Sequence, residues 1–102
     1  MKHNIAEIEV SHHTQAPILR NIIEERKRQD EKWGEQNHPL VMWGTIIGEE
    51  FGEMCECINK LEVPPISYDP SVVMYYTEAL KKEAIQVAAC CVALLEYIER
   101  DK

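Results

Sequence analysis

WGTIIGEEFGEMCECINKL, residues 43 to 61, decides the fold, because it sets Glu49, Glu50, Glu53 and Glu56 within about two turns of a helix. Ile47, Phe51, Met54, Ile58 and Leu61 recur at the i, i+4, i+7 spacing of a core-facing stripe. Glu50 falls beside that stripe, and Glu53 lies one step further round the same flank with Ile46 and Cys57. Glu49 and Glu56 fall on the solvent side. Two carboxylates three residues apart at the edge of a buried face repel each other, and partial desolvation penalises both. A bound cation removes that penalty. Glutamate is also an ordinary helix former on a wet face, which is the simpler account of Glu49 and Glu56.

The chain around this helix has 102 residues, enough for one domain but near the low end for a self-sufficient core, so a second chain is expected to complete it. The net charge of −7, from 18 acidic and 11 basic residues, argues against a sequence-independent grip on nucleic acid. It leaves room for a nucleotide carried in with a divalent metal. The N-terminus has no apolar signal-peptide core, and the longest apolar run, residues 87 to 95, is too short to span a bilayer. A cytoplasmic protein is expected. Cys55, Cys57, Cys90 and Cys91 match neither a zinc site nor a redox CxxC, and read as small buried hydrophobes in a reducing compartment.

Taken in order, residues 1 to 15 read as a polar tail, and residues 16 to 102 as a single helical domain. The tail's His12-His13 pair lacks a third ligand nearby. Pro17 suits a first helical turn, and Ile18, Leu19, Ile22 and Ile23 then predict an amphipathic helix to about Glu31. Its charged end, EERKRQDEK, reads as a solvated, salt-bridged surface. From Trp33 the pattern breaks into WGEQNHPLVMWG, a loop whose Trp33, His38 and Trp43 either stack on and read a nucleobase or seal the end of the bundle. The Glu35-x-x-His38 spacing is single and lies in a loop, whereas a di-iron carboxylate bundle needs two such motifs on helices. After the glutamate helix, Pro64, Pro65 and Pro70 mark a connector, and Ser71 is placed to cap a last helix to about Arg100. Residues 84 to 95 of that helix are apolar nearly all round, which predicts burial at the centre of a homo-oligomer. Glu83 and Gln86 project from one flank of it. Gln86 is either a core amide satisfied by its neighbours or part of a site.

The segments Glu49-Glu50-Phe51-Gly52-Glu53 and Glu83-Ala84-Ile85-Gln86, preceded by ERKRQDEKWGEQNHP over residues 25 to 39, resemble the MazG-like all-α nucleotide pyrophosphohydrolases. That family carries E-E-x-x-E on one helix and E-x-x-D on the next, and the resemblance covers roughly residues 19 to 100. It implies an all-α helical bundle completed by dimerisation or tetramerisation. It also implies hydrolysis of (d)NTP to (d)NMP and pyrophosphate with Mg²⁺ or Mn²⁺, and magnesium independently suits a few carboxylates plus substrate phosphate. On the same resemblance Glu50, Glu53 and Glu83 are metal ligands with Gln86 in the aspartate's place, and Glu49 orients or deprotonates water or binds a second ion. Lys32, Trp33 and His38 sit near the base or phosphates. Gln86 is the departure, because a neutral amide is a poorer Mg²⁺ ligand. The competing expectation is a catalytically silent helical bundle that binds a nucleotide or partner protein through the same acidic groove.

Overall fold

A computed structural model describes the backbone of residues 5 to 62 and 69 to 100, with side chains from residue 13 onward. Among the described residues the chain is an all-α bundle of three helices: α1 (Ile5–Trp33), α2 (Leu40–Glu62) and α3 (Pro70–Arg100). Helix α1 begins at Ile5, not Pro17, so the expected loose tail is helical over residues 5 to 15. Ala6, Glu7, Glu9 and Gln15 are compatible with a helix, and Pro17 removes one N–H donor without ending it. Gly34 terminates α1: its φ of +71° is open to glycine at no steric cost, and its N–H donates to the Asp30 carbonyl at 2.8 Å.

The expected loop from Trp33 to Gly44 is shorter than the sequence pattern implies. The Pro39 carbonyl accepts the Met42 and Trp43 amides at 2.9 and 3.1 Å, so α2 starts at Leu40. Arg100 ties this loop to the end of α3, through Glu35 at 3.2 Å and the Gln36 carbonyl at 2.9 Å. At the start of α3 the cap is Asp69, not Ser71. Asp69 Oδ1 accepts the Ser71 N–H at 2.9 Å and its hydroxyl at 2.8 Å, and Pro70 takes the first helical position. The proline-marked connector at residues 63 to 68 lies outside the described residues.

Helix α3 is the centre of the arrangement. Both α1 and α2 pack against it, and among the described residues they do not pack against each other. Small residues make the close approach possible: Ala89, Cys90 and Ala93 are buried along α3, with Trp43 of α2 the one large buried side chain. Trp43 meets Tyr97 with ring centroids 5.9 Å apart, whereas further along α2 the carboxylates of Glu50 and Glu53 meet Glu83. The two helices therefore run antiparallel. Helix α1 is held to α3 by Arg26, whose Nε donates to Glu96 Oε1 at 2.7 Å while its Nη2 reaches Asp30 at 2.9 Å.

The inward face of α2 differs from the expected stripe. Phe51 is 52% exposed and Ile58 is also exposed, whereas Ile46, Glu50 and Cys57 are half-buried with Ile47, Met54 and Leu61. The helix is thus turned toward its glutamate flank. Helix α3 shows the same economy: its apolar segment is buried on one side in the protomer, and Cys91, Val92 and Leu95 remain exposed. Ile18, Leu19 and Ile23, the expected inward stripe of α1, are exposed too.

Candidate metal centre and cleft

The turn of α2 carries Glu50 and Glu53 onto the face that meets α3, where Glu83 stands opposite them. One oxygen of each of these three carboxylates lies within 4.8 Å of the other two. Three like charges at that separation, two of them, Glu50 and Glu83, half-buried and Glu53 exposed, are unfavourable unless a cation or a proton intervenes. The carboxyl groups record the cost: burial, and then the charge on Glu53, raises the pKa of Glu50 above its ordinary value, and the same two causes raise Glu83. Glu50 Oε2 and Glu83 Oε2 are moreover buried with no partner beyond the other carboxyl groups of the cluster. Hard oxygen donors with unused lone pairs, contributed by two rigid helices, fit a divalent cation such as Mg²⁺ or Mn²⁺.

This centre opens onto a cleft of about 690 Å³, a size usual for small-molecule sites. Its floor is α3, through Lys82, Gln86, Cys90 and Ala93. Helix α1 supplies one wall with Glu25, Arg28, Gln29, Lys32 and Trp33; α2 supplies the other with Trp43, Ile46 and Glu50, and Gln36 and His38 close the loop end. The cleft therefore carries two acidic side chains, Glu25 and Glu50, and three cationic ones, Lys32, Lys82 and Arg28, the last paired with Glu25 at 2.8 Å.

The aromatic residues divide by burial. Trp33 is 64% exposed, and Lys32 Nζ sits over one face of its ring 4.8 Å from the centroid, so a flat ligand would have to meet the opposite face or displace the ammonium. Trp43 is only 2% exposed and packs into the bundle, as the alternative reading of its role expects. The His38 ring stands edge-on to Trp43 at 5.1 Å, and His38 Nε2 lies 2.9 Å from Gln36 Oε1. Glu35 turns away to Arg100, so it shares no ligand with His38.

Of the other sequence candidates, Gln86 lines the cleft one turn beyond Glu83, and Glu49 is exposed and outside both the carboxylate triad and the cleft wall. Sequence reasoning did not single out Glu25, Arg28 or Lys82. Positions 25, 28, 29 and 32 share one helical face, a polar stripe leading to Trp33, and that spacing was the available sign. All four cysteines are free; Cys90 is buried, Cys55 and Cys57 are half-buried, and Cys91 is exposed. Burial raises the thiol pKa of Cys57 and Cys90, with carboxylate charge adding to it, which keeps both as neutral thiols. His12 lies outside the described side chains, and His13 is exposed. No described helix is long and apolar enough to cross a membrane. No family model, no curated protein and no solved structure matches this chain.

Proposed function

We propose that this chain is a small, MazG-like nucleoside triphosphate pyrophosphohydrolase that hydrolyses (d)NTP to (d)NMP and pyrophosphate with Mg²⁺ or Mn²⁺. The observation that carries the reading is the juxtaposition of the Glu50, Glu53 and Glu83 oxygens with a cleft containing Arg28, Lys32, Lys82 and the open face of Trp33. A triphosphate needs both parts: basic side chains for its oxygens, and acidic ligands for the cation it travels with.

In this reading Glu50, Glu53 and Glu83 hold the cation, with the Gln86 amide oxygen one turn further along α3. A cation bound there supplies charge neutralisation at the phosphates and acidifies a water for attack. Arg28, Lys32 and Lys82 draw the triphosphate into the cleft and fix its orientation, and Trp33 stacks on the base. His38, oriented by Gln36, borders the base end.

The oligomer belongs to the same proposal. An accessible surface of 7958 Å² compares with ~5,900 Å² for a self-contained monomer of this mass. The radius of gyration, 16.8 Å, compares with ~13 Å for a compact domain of this length. The excess surface, with Phe51, Leu95 and Ile98 exposed on it, is of the size that a homodimer or homotetramer covers.

The experiment is incubation with canonical and modified nucleoside triphosphates, with and without Mg²⁺, and assay of both products. The expected result is metal-dependent pyrophosphate with equimolar monophosphate, lost in Glu53→Gln. Nucleotide binding without any turnover would instead select the silent binding bundle, to which Gln86 in the ligand position points. Gln86→Asp is expected to raise metal affinity or rate; no change in either removes Gln86 from the coordination shell.

A further inference from the structure

We propose that Glu25 of α1 is the general base that takes the proton of the attacking water. This rests on the pyrophosphohydrolase reading and adds to it a residue outside the acidic motifs. Glu25 lies within a charged stretch that reads as solvated surface, yet its side chain is only 13% exposed and it lines the cleft together with Glu50. Its charge is near enough to bear on both Glu50 and Cys90. It nevertheless does not join the group of oxygens that all lie within 4.8 Å of one another. Glu25 therefore lines the cleft beside Glu50 without belonging to the carboxylate triad.

The two oxygens of Glu25 are differentiated. Oε1 accepts the Arg28 Nε–H at 2.9 Å and lies 2.8 Å from Arg28 Nη2, an ion pair that anchors the carboxylate. Oε2 has no hydrogen bond among the described residues and is not among the buried unpartnered atoms, so it keeps contact with solvent on a side chain that lines the cleft. An anchored carboxylate with one oxygen presented to a water is the arrangement general-base catalysis requires. Glu49, exposed and outside the cleft wall, lacks it. Trp43 also borders the cleft at 2% exposure, with a buried indole N–H that has no acceptor.

The step balances without any further reactant. The water oxygen forms a bond to the α-phosphorus, and the bond from that phosphorus to the oxygen bridging the β-phosphorus breaks, its electron pair leaving on pyrophosphate. One water proton passes to Glu25 Oε2 and from there to solvent. The products are nucleoside monophosphate and pyrophosphate.

The test compares wild type, Glu25→Gln, Glu25→Ala and Glu53→Gln for Mg²⁺ binding, binding of a non-hydrolysable α,β-methylene triphosphate, and turnover. Glu25→Gln is expected to hold Mg²⁺ and the analogue within about threefold of wild type while kcat falls by about 10²- to 10⁴-fold. Glu53→Gln is expected to lose Mg²⁺ affinity. Added formate is expected to restore part of the Glu25→Ala rate, because a small carboxylate enters the space left by the side chain; a merely structural role gives no such rescue. The assignment is overturned if Glu25→Gln turns over like wild type, if its Mg²⁺ affinity falls with its rate, or if formate restores nothing. A loss of kcat at Glu49→Gln with Glu25→Gln unaffected overturns it as well. Wild-type protein that releases no pyrophosphate from any triphosphate would sink the pyrophosphohydrolase reading and the base with it, whereas an active wild type with an undiminished Glu25→Gln sinks only the base.

Discussion

Glu50 and Glu83 are the residues at which the fold carries an electrostatic cost that a bound cation would relieve. Each carboxyl has a pKa raised above the ordinary value of 4.5 by burial and by Glu53. A raised carboxylate pKa means that the folded protein binds protons more tightly than the unfolded chain, so these groups destabilise the metal-free fold above their folded pKa. That penalty is relieved as pH falls from neutral through the raised values toward 4.5. The metal-free protein is therefore expected to gain thermal stability between neutral pH and about pH 5, before general acid unfolding begins. Mg²⁺ at neutral pH should supply the same relief, with a smaller gain at pH 5, where protons compete for the oxygens. Glu83→Gln separates the two effects: it should raise the Tm of the metal-free protein by a few degrees and abolish the Mg²⁺-induced rise. Scanning calorimetry with and without Mg²⁺ decides it; a Glu83→Gln protein less stable than wild type without metal, yet still stabilised by Mg²⁺, would mean that these carboxylates do not share a cation.

Helix ends and helix faces were legible in the sequence to different degrees, and the reasons are local. The spacing of Ile47, Met54 and Leu61 sufficed to place a helix there, and the acidic flank with Glu50 and Glu53 followed from the same wheel. The rotation of that helix was not legible, because Phe51 and Ile58 are as apolar as a core stripe requires while remaining exposed in the protomer. Glu25 and Arg28 were hidden for the converse reason: charge at i, i+3 spacing looks the same on a wet surface as on a cleft wall. At the end of α1, Gly34 stops the helix through its φ of +71°, and a Cβ there would meet nothing within 4 Å. The cost of Gly34→Ala is therefore backbone strain alone, about 1 kcal/mol, with binding unchanged. Equilibrium urea unfolding reads it, and a neutral or stabilising substitution would show that α1 does not end on a left-handed residue. At the start of α3, hydrogen bonds to Ser71 lower the pKa of Asp69, so its stabilising contribution is present at neutral pH and is lost only as pH falls below 3.8 through the depressed value. Asp69→Ala should lower Tm at neutral pH, and Asp69→Asn should recover most of the loss, since an amide oxygen also accepts from a helix N-terminus. Equal Tm values for Asp69→Ala and wild type would remove Asp69 as the cap.

As a molecule, the chain buries little: among the described residues four apolar side chains lie in the core, while Ile18, Leu19, Phe51, Leu95 and Ile98 remain open to water. A single hydrophobic core of this kind falls short of what a domain of 102 residues ordinarily encloses. The apolar surface is also distributed in a way that a single protomer does not use, since α1 and α2 pack on α3 but not on each other. A second copy covering these faces would supply the missing burial. The expectation is a dimer or larger assembly at micromolar concentration, with a Tm that rises with protein concentration because folding and association are linked. Leu95 on α3 is 61% exposed, so Leu95→Glu should leave an isolated protomer unaffected. At a subunit interface the same change buries an unpaired charge, and should shift sedimentation toward monomer and lower the concentration-dependent Tm. Phe51→Glu on α2 tests the same surface from a second helix. If wild type sediments as a monomer with a Tm independent of concentration, and both variants match it, the open apolar faces have no second copy on them, and the protomer's small core has to account for its stability unaided.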